Sequence, residues 1–178
     1  MQKIKAFGTW LRTSKNGFFA LAVFSYWLKC YLIYLTKFTL GATGPMQGFL
    51  LLINPIPSGM LILGLGMLMK GRKSYWTMLV LDFLLATWLF ANILYYREFS
   101  NFLSFSLLQN SGSASENLGK SIAGILKGSD FLAFADPLIL LGLLLGKFFK
   151  MDLYSQSWER KVAIELTALI LMGGNLLL

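Results

Sequence analysis

Long apolar runs dominate the chain and predict helices that cross a membrane. A spanning helix needs about 20 consecutive, mostly apolar residues. Five stretches meet or approach this length, with short polar segments between them. We therefore predict an all-α polytopic membrane protein with five transmembrane helices and short amphipathic interfacial helices on the outer side. The predicted cytoplasmic basic N-terminus is 1–16, the transmembrane domain is 17–178, and its spans are about 17–36, 55–69, 75–96, 131–146 and 162–178.

A pair of prolines interrupts the second apolar run. Asn54 is a predicted N-cap, with Pro55 at the first helical position and Pro57 two residues later. On this interpretation 45–53 is a short interfacial helix and 55–69 is a short span. Its 15 residues cover only about 22 Å, so the span would begin below the outer interface. The alternative is a single helix that is kinked at the prolines.

The longest polar region, 97–129, separates the third and fourth spans. In its first part, aromatic and aliphatic residues alternate with Ser and Asn. In its second part four aliphatic residues recur at helical spacing, namely Leu118, Ile122, Ile125 and Leu126. We expect two short amphipathic helices that lie on the extracellular membrane surface.

Composition and charge support the membrane class and add an orientation. Hydrophobic residues make up 56% of the 178 residues and charged residues 13%, whereas soluble domains carry about 25% charged residues. The net charge is +8. With the N-terminus inside, the predicted cytoplasmic segments hold 11 Lys and Arg residues and the outer segments hold 4, as the positive-inside rule requires. The charge therefore indicates a cytoplasmic N-terminus and an extracellular C-terminus, and not nucleic acid binding.

The residue types exclude several classes of catalytic site. The chain has no histidine, which excludes His-based acid–base catalysis and His ligation of metals. Its single cysteine, Cys30, excludes internal disulfides and Cys-rich zinc sites. No P-loop, GxSxG, GxGxxG or HExxH motif occurs. We predict no catalytic residue, metal site or cofactor in this chain.

Lys29 is a charged residue inside the first predicted span, where charges are costly and point to function. By helical rise it lies about 18 Å from the inner edge, in the outer half of the membrane. Its long side chain can reach the phosphate level. One hypothesis is contact with a lipid phosphate. The other is a structural ion pair, for which Asp82 in the third span is a partner.

Asn92 and Arg97 lie where the third predicted span meets the outer surface. The guanidinium fork of arginine suits phosphate better than the point charge of lysine does. Together with Lys29, these two residues form a candidate binding site for a phospholipid headgroup. Asp130 and Asp136, at the head of the fourth span, are the alternative partners of Arg97 in structural ion pairs.

Five segments, taken in order, resemble a known family. They are KCYLIYLTKFTLG (29–41), LLINP (51–55), KGRKSYW (70–76), LFANILYYREFSNFLSFSLL (89–108) and SDFLAFADPLIL (129–140). In this order and spacing the chain resembles the N-terminal membrane domain of the lipoteichoic acid synthase family. The resemblance covers nearly the whole chain, from about Lys29 onwards. It implies five transmembrane helices followed by an extracellular sulfatase-like catalytic domain.

The resemblance also implies a function in the envelope of Gram-positive bacteria. Members of the family transfer glycerol phosphate from phosphatidylglycerol to a glycolipid-anchored polymer outside the cell. Their catalytic domain uses a threonine nucleophile and a manganese ion, which the resemblance places beyond Leu178. This chain is then expected to anchor the enzyme in the cell membrane and to position lipid, without activity of its own. The implied partners are phosphatidylglycerol, the glycolipid anchor, that catalytic domain and other cell-envelope proteins. Synthase-type and primase-type members are not separated by these residues.

Two other functions fit the same composition. One is a small integral-membrane scaffold protein of cell-envelope elongation, and the other is the substrate-binding subunit of a vitamin transporter. An odd number of spans with an extracellular C-terminus favours the transferase, because such a chain can continue directly into an extracellular domain. A C-terminal tag accessible only from the cytoplasm would favour the scaffold, and a bound vitamin would favour the transporter subunit.

Overall fold

The computed structural model describes residues 8–10, 16–39, 44–103, 124–149 and 157–177. Helices form the secondary structure of these residues, and no strand occurs among them. The helices are α1 (Gly17–Lys37), α2 (Pro45–Ile53), α3 (Pro55–Gly66), α4 (Arg72–Phe99), a 3₁₀ helix (Gly128–Phe134), α5 (Ala135–Leu145) and α6 (Trp158–Leu177). Most of the region 97–129, for which interfacial helices are predicted, lies outside the described residues.

Four helical segments of the described residues are long and apolar enough to cross a membrane. They are Gly17–Lys37, Pro45–Met67, Arg72–Phe99 and Gly128–Leu145. The predicted class, an all-α polytopic membrane protein, is confirmed. Helix α6 is 20 residues long but is not among the four. It carries four charged residues near its N-terminus, namely Glu159, Arg160, Lys161 and Glu165. The fifth span therefore stays a prediction.

Helices α2 and α3 meet at Asn54 with almost no break in helical geometry. Asn54 has φ −48° and ψ −39°, and its N–H donates to the carbonyl oxygen of Leu50 at 2.9 Å. Its side chain makes no capping hydrogen bond. Asn54 therefore occupies the predicted N-cap position of α3, but it does so with helical dihedral angles and without a capping hydrogen bond from its side chain. Pro55 begins α3 as predicted, where its lack of an N–H is tolerated, and α2 and α3 together form one segment, Pro45–Met67, that is long enough to cross a membrane.

Helix α4 packs against α1, α3, α5 and the 3₁₀ helix. Its 28 residues span about 42 Å. Gly71 precedes it with a φ of 59°, which glycine adopts without strain. At its other end, Ser100 has φ 52°, and its N–H donates to the carbonyl oxygen of Tyr96 at 2.8 Å. We call the end of the bundle at which α4 terminates the Arg97 end.

Helix α3 approaches its neighbours closely because three of its residues are glycines. A Cβ atom at these positions would overlap Tyr26 (from Gly59), Glu165 (from Gly64) and Met78 (from Gly66). At Gly66 the overlap includes the backbone nitrogen of Met78, which would lie 2.9 Å away. By contrast, no atom lies within 4 Å of a Cβ built at Gly142. The GxxxG pattern that begins at Gly142 is therefore not a close helix contact among the described residues.

Candidate functional site: two buried ion clusters and a cavity

Lys29 lies among two carboxylates from other helices, and we call these three residues the Lys29 cluster. The ammonium nitrogen of Lys29 on α1 is 2.7 Å from Oδ1 of Asp136 on α5 and 3.9 Å from Oδ1 of Asp82 on α4. All three residues are buried, with exposed fractions of 7%, 5% and 0% respectively. Of the two sequence hypotheses, the structure displays the ion pair with Asp82, but Asp136 is the closer partner.

The charge balance of the Lys29 cluster is uneven. Two carboxylates face one ammonium, so the fully ionised cluster carries one net negative charge in an apolar region. Oxygens of both carboxylates and the ammonium nitrogen lack a hydrogen-bond partner of good geometry among the described residues. The ring of Tyr26, with its centroid 5.3 Å from the Lys29 nitrogen, adds a cation–π contact. Uncompensated buried charge is costly, so the second carboxylate is the unfavourable member of this cluster.

A second group of ions joins the helix ends, and we call it the Arg97 cluster: Arg97, Asp130 and Lys37. The two terminal guanidinium nitrogens of Arg97 donate to the two carboxylate oxygens of Asp130, each at 2.7 Å. Lys37 donates to the same carboxylate at 3.1 Å, and the backbone N–H of Lys127 donates to it at 2.8 Å. Arg97 also donates to the carbonyl oxygen of Ile125. Such paired, charge-assisted bonds are strong, so they fasten the 3₁₀ helix to α1 and α4.

The observed partners of the two acidic residues differ in part from the predicted partner, Arg97. Asp130 pairs with Arg97, as the ion-pair alternative states, and is fully buried. Asp136 does not pair with Arg97 but with Lys29. Which basic residue Asp136 reaches depends on the rotation of α5 about its axis. The spacing of residues in the sequence does not determine that rotation. The side chains of Arg97 and Lys37 stay 21% and 15% exposed, so each keeps an accessible edge.

Asn92 belongs to neither cluster. Its amide nitrogen donates to the carbonyl oxygen of Trp88 at 2.9 Å. Its side-chain oxygen accepts a hydrogen bond from the N–H of Leu103 at 3.1 Å. Asn92 therefore holds the chain that follows α4 against the helix. The structure thus separates the three residues of the candidate headgroup site, because Lys29, Asn92 and Arg97 contact different partners.

A cavity of about 420 Å³ lies between α1, α3 and α4, and the sequence analysis missed it. On α1 its wall contains residues that recur every fourth position, namely Tyr26, Cys30, Tyr34 and Phe38. Ser58 and Asn92 contribute polar groups from α3 and α4. None of the lining residues that the structure describes is charged. The polar and aromatic stripe at i, i+4, i+8 and i+12 of α1 is the sequence signal that could have revealed this cavity.

The described residues offer no group of three or more His, Cys, Asp or Glu side chains that could hold a metal ion. The manganese implied by the family resemblance therefore has no fitting ligand set in this part of the chain, and no chemical step here depends on it.

Comparison with known proteins places these features in a family. The family model described as "Lipoteichoic acid synthase N-terminal domain" matches residues 1–178. Lipoteichoic acid synthase 1 of Bacillus subtilis (strain 168) is 40% identical over 160 residues, which is 90% of this chain and 24% of that protein. Lipoteichoic acid synthase of Staphylococcus aureus (strain USA300) is 39% identical over 136 residues, 76% of this chain and 21% of that protein. The chain thus spans less than a quarter of the length of these relatives. No solved structure matches the chain.

Proposed function

The chain belongs to the lipoteichoic acid synthase N-terminal domain family, and from this premise we propose that it anchors a glycerophosphotransferase in the cell membrane and positions the lipid substrate. The proposed lipid is phosphatidylglycerol. The proposed partners are this lipid, a glycolipid anchor, and an extracellular catalytic domain that carries the manganese ion. The observation that supports this function most directly is the match of the family model to the whole chain, together with four helical segments able to cross a membrane.

The Arg97 end of the bundle is the proposed place of headgroup binding. Lys37 and Arg97 share one buried carboxylate, so the Arg97 cluster carries a formal net charge of +1. Lys127 is exposed and lies three residues before Asp130, to which its backbone N–H donates. A positive cluster with partly exposed donors attracts an anionic phosphodiester. Asp130 holds the donors in place, and their accessible edges are the proposed contacts for the lipid phosphate.

Orientation matters for this function, because the family's transfer occurs outside the cell. We propose that the Arg97 end faces the extracellular side, which the distribution of Lys and Arg along the chain supports. Over the whole transfer, which the family resemblance routes through a threonine nucleophile of the catalytic domain, a bond from phosphorus to the acceptor hydroxyl oxygen forms and the bond from phosphorus to the diacylglycerol oxygen breaks. The proton of the acceptor hydroxyl is transferred overall to that oxygen. The role of this chain in the reaction is to anchor the enzyme and to hold the lipid at a defined depth in the membrane.

A domain exchange in a full-length synthase tests the proposal. The natural membrane domain is replaced either by this chain or by an unrelated anchor with the same number of spans. With this chain we expect polymer synthesis, and with the unrelated anchor we expect loss of polymer but continued release of glycerol phosphate from phosphatidylglycerol. Polymer length on gels and released glycerol phosphate are the two measurements. Full polymerising activity with the unrelated anchor would show that the membrane domain does not position lipid.

A further inference from the structure

We propose that the cavity between α1, α3 and α4 binds a neutral lipid of the diacylglycerol class, with one acyl chain lying along α1. The inference rests on the proposed function, since diacylglycerol is the part of phosphatidylglycerol that remains after glycerol phosphate leaves. The cavity volume of about 420 Å³ lies within the range of about 300–1,000 Å³ that is typical of small-molecule sites.

The length of the cavity suits an acyl chain. Tyr26 and Phe38 line its two ends on α1. Phe38, the residue directly after α1, follows Tyr26 by twelve positions, which correspond to about 18 Å at the rise of a helix. One leaflet contributes half of a hydrocarbon core of about 30 Å, so about 15 Å. The cavity therefore extends over about the depth of one leaflet, starting from the Arg97 end.

The lining chemistry favours a neutral lipid over an anionic one. Tyr26, Tyr34 and Ser58 are hydroxyl-bearing residues of the cavity lining. The Ser58 hydroxyl also donates to backbone carbonyl oxygens of the preceding turn, and the Asn92 amide is already hydrogen-bonded at both ends. Hydroxyls both donate and accept hydrogen bonds, so they can pair with the ester and hydroxyl oxygens of a glycerolipid. A phosphodiester in the same place would bring a negative charge into an apolar region with no cation among the described lining residues. Burial of an unpaired charge is strongly unfavourable.

The cavity lies beside the cluster that attracts anions. The ring of Phe38 contacts the rings of Tyr96 and Phe102, with centroids 5.0 and 5.1 Å apart. Tyr96 directly precedes Arg97 in α4, and its hydroxyl donates to the carbonyl oxygen of Thr39 at 3.1 Å. These aromatic side chains separate the cavity from the Arg97 cluster. A lipid that loses its charged headgroup at the Arg97 cluster therefore has an uncharged, lipid-length site next to it.

Photolabelling of the purified chain tests this assignment. The chain is reconstituted in dioleoylphosphatidylcholine nanodiscs with a trace of dioleoylglycerol that carries a diazirine in one acyl chain. We expect cross-links at the cavity-lining residues of α1 and α4, and competition by unlabelled dioleoylglycerol. Phosphatidylglycerol with the same diazirine should label these residues about tenfold less, which corresponds to a tenfold lower affinity.

Two neighbouring leucines provide a matched pair of variants. Leu85→Trp fills the cavity and should abolish the competed labelling. Leu84→Trp is the control, because Leu84 is 60% exposed and faces away from the bundle. Tyr34→Phe keeps the ring and removes one hydroxyl, so labelling should fall about two- to tenfold, the effect of one neutral hydrogen bond. This conservative variant keeps the test decisive if Leu85→Trp does not fold.

Two results would overturn the assignment. Equal labelling by phosphatidylglycerol and diacylglycerol at these residues would show that the cavity does not select neutral lipid. Labelling that survives both Leu85→Trp and Tyr34→Phe would show that the lipid lies elsewhere. Because this assay measures binding without a catalytic domain, its outcome is independent of the domain exchange. A chimera that polymerises on an unrelated anchor would disprove lipid positioning and leave the binding result unaffected.

Discussion

Individual charged side chains in this bundle are paired across helices. Lys29 contacts two carboxylates, and Arg97 shares Asp130 with Lys37. The sequence identifies the charged residues, because any ionisable group within an apolar run stands out. It does not determine which acid pairs with which base, because that depends on helix rotation. The ion-pair alternative therefore gives Asp130 its observed partner, Arg97, whereas Asp136 pairs with Lys29 and not with Arg97.

The Lys29 cluster predicts unequal effects for two isosteric substitutions. Asp136→Asn removes the closer partner of Lys29 and should destabilise the bundle by about 3–5 kcal/mol, as for a broken buried ion pair. Asp82→Asn removes the excess negative charge and should leave stability unchanged or increase it. Thermal unfolding of both variants in detergent micelles measures the difference. If Asp82→Asn proved the more harmful, the cluster would not depend on the shorter ion pair.

The Arg97 cluster predicts that the 3₁₀ helix depends on the guanidinium fork. Arg97→Lys keeps the charge but cannot form both bonds to Asp130, so about 1.5–3 kcal/mol of charge-assisted hydrogen bonding is lost. Hydrogen–deuterium exchange of residues 127–134 should become faster, while exchange in α3 stays unchanged. Lys70→Arg, a surface substitution outside the cluster, is the control. Unchanged exchange at 127–134 in Arg97→Lys would mean that the fork does not hold this helix.

At the scale of the elements, apolar runs predict where helices form but not how they join. The structure has helices α1 and α4 where continuous apolar runs occur. The sequence predicts a helix start at Pro55 with Asn54 before it, and α3 does begin at Pro55, but the helical dihedral angles of Asn54 show that it joins the preceding helix almost without a bend. Glycine spacing does not show by itself which glycines lie at a close helix contact. Gly142 and Gly146 have the GxxxG spacing that is common at helix contacts, whereas the closest contacts belong to glycines of α3.

Glycine contacts on α3 predict a contrast between two Gly→Ala substitutions. Gly66→Ala places a methyl group against the backbone of Met78, which cannot move as a side chain can. We expect a destabilisation of about 1–3 kcal/mol, the usual cost of overpacking. Gly142→Ala has open space around it and should be neutral or stabilising by up to about 1 kcal/mol, since alanine favours helices. Thermal unfolding compares the two, and equal effects would argue against close packing of α3 on α4.

At the scale of the whole molecule, the membrane class follows from composition, whereas internal sites do not. Hydropathy and charge predict a helical membrane protein with a basic inner side, because both properties add up along the chain. The cavity between α1, α3 and α4 depends on gaps between side chains of separate helices. No single segment encodes such a gap. The stripe that Tyr26, Cys30, Tyr34 and Phe38 form on α1 indicates only one of its walls.

Orientation in the membrane gives a prediction for the whole chain. Lys127 is exposed at the Arg97 end and Lys70 is exposed at the other end. With an extracellular Arg97 end, Lys127→Cys should react with a membrane-impermeant maleimide in intact cells, and Lys70→Cys only after permeabilisation. The native Cys30 is 1% exposed, so it should contribute little background, which the unsubstituted chain measures. The reverse labelling pattern would invert the topology.

The unequal helix lengths also affect the surrounding bilayer. Helix α4 extends about 42 Å, but α5 has 11 residues and therefore extends about 16 Å. The 3₁₀ helix before α5 lengthens this spanning segment to the 18 residues Gly128–Leu145, which is still shorter than the 28 residues of α4. Bilayers respond to such mismatch by local thinning, at a cost of fractions of a kcal/mol per Å. Thinner membrane around α5 would shorten the distance over which a lipid headgroup must rise to leave the bilayer on this side of the bundle.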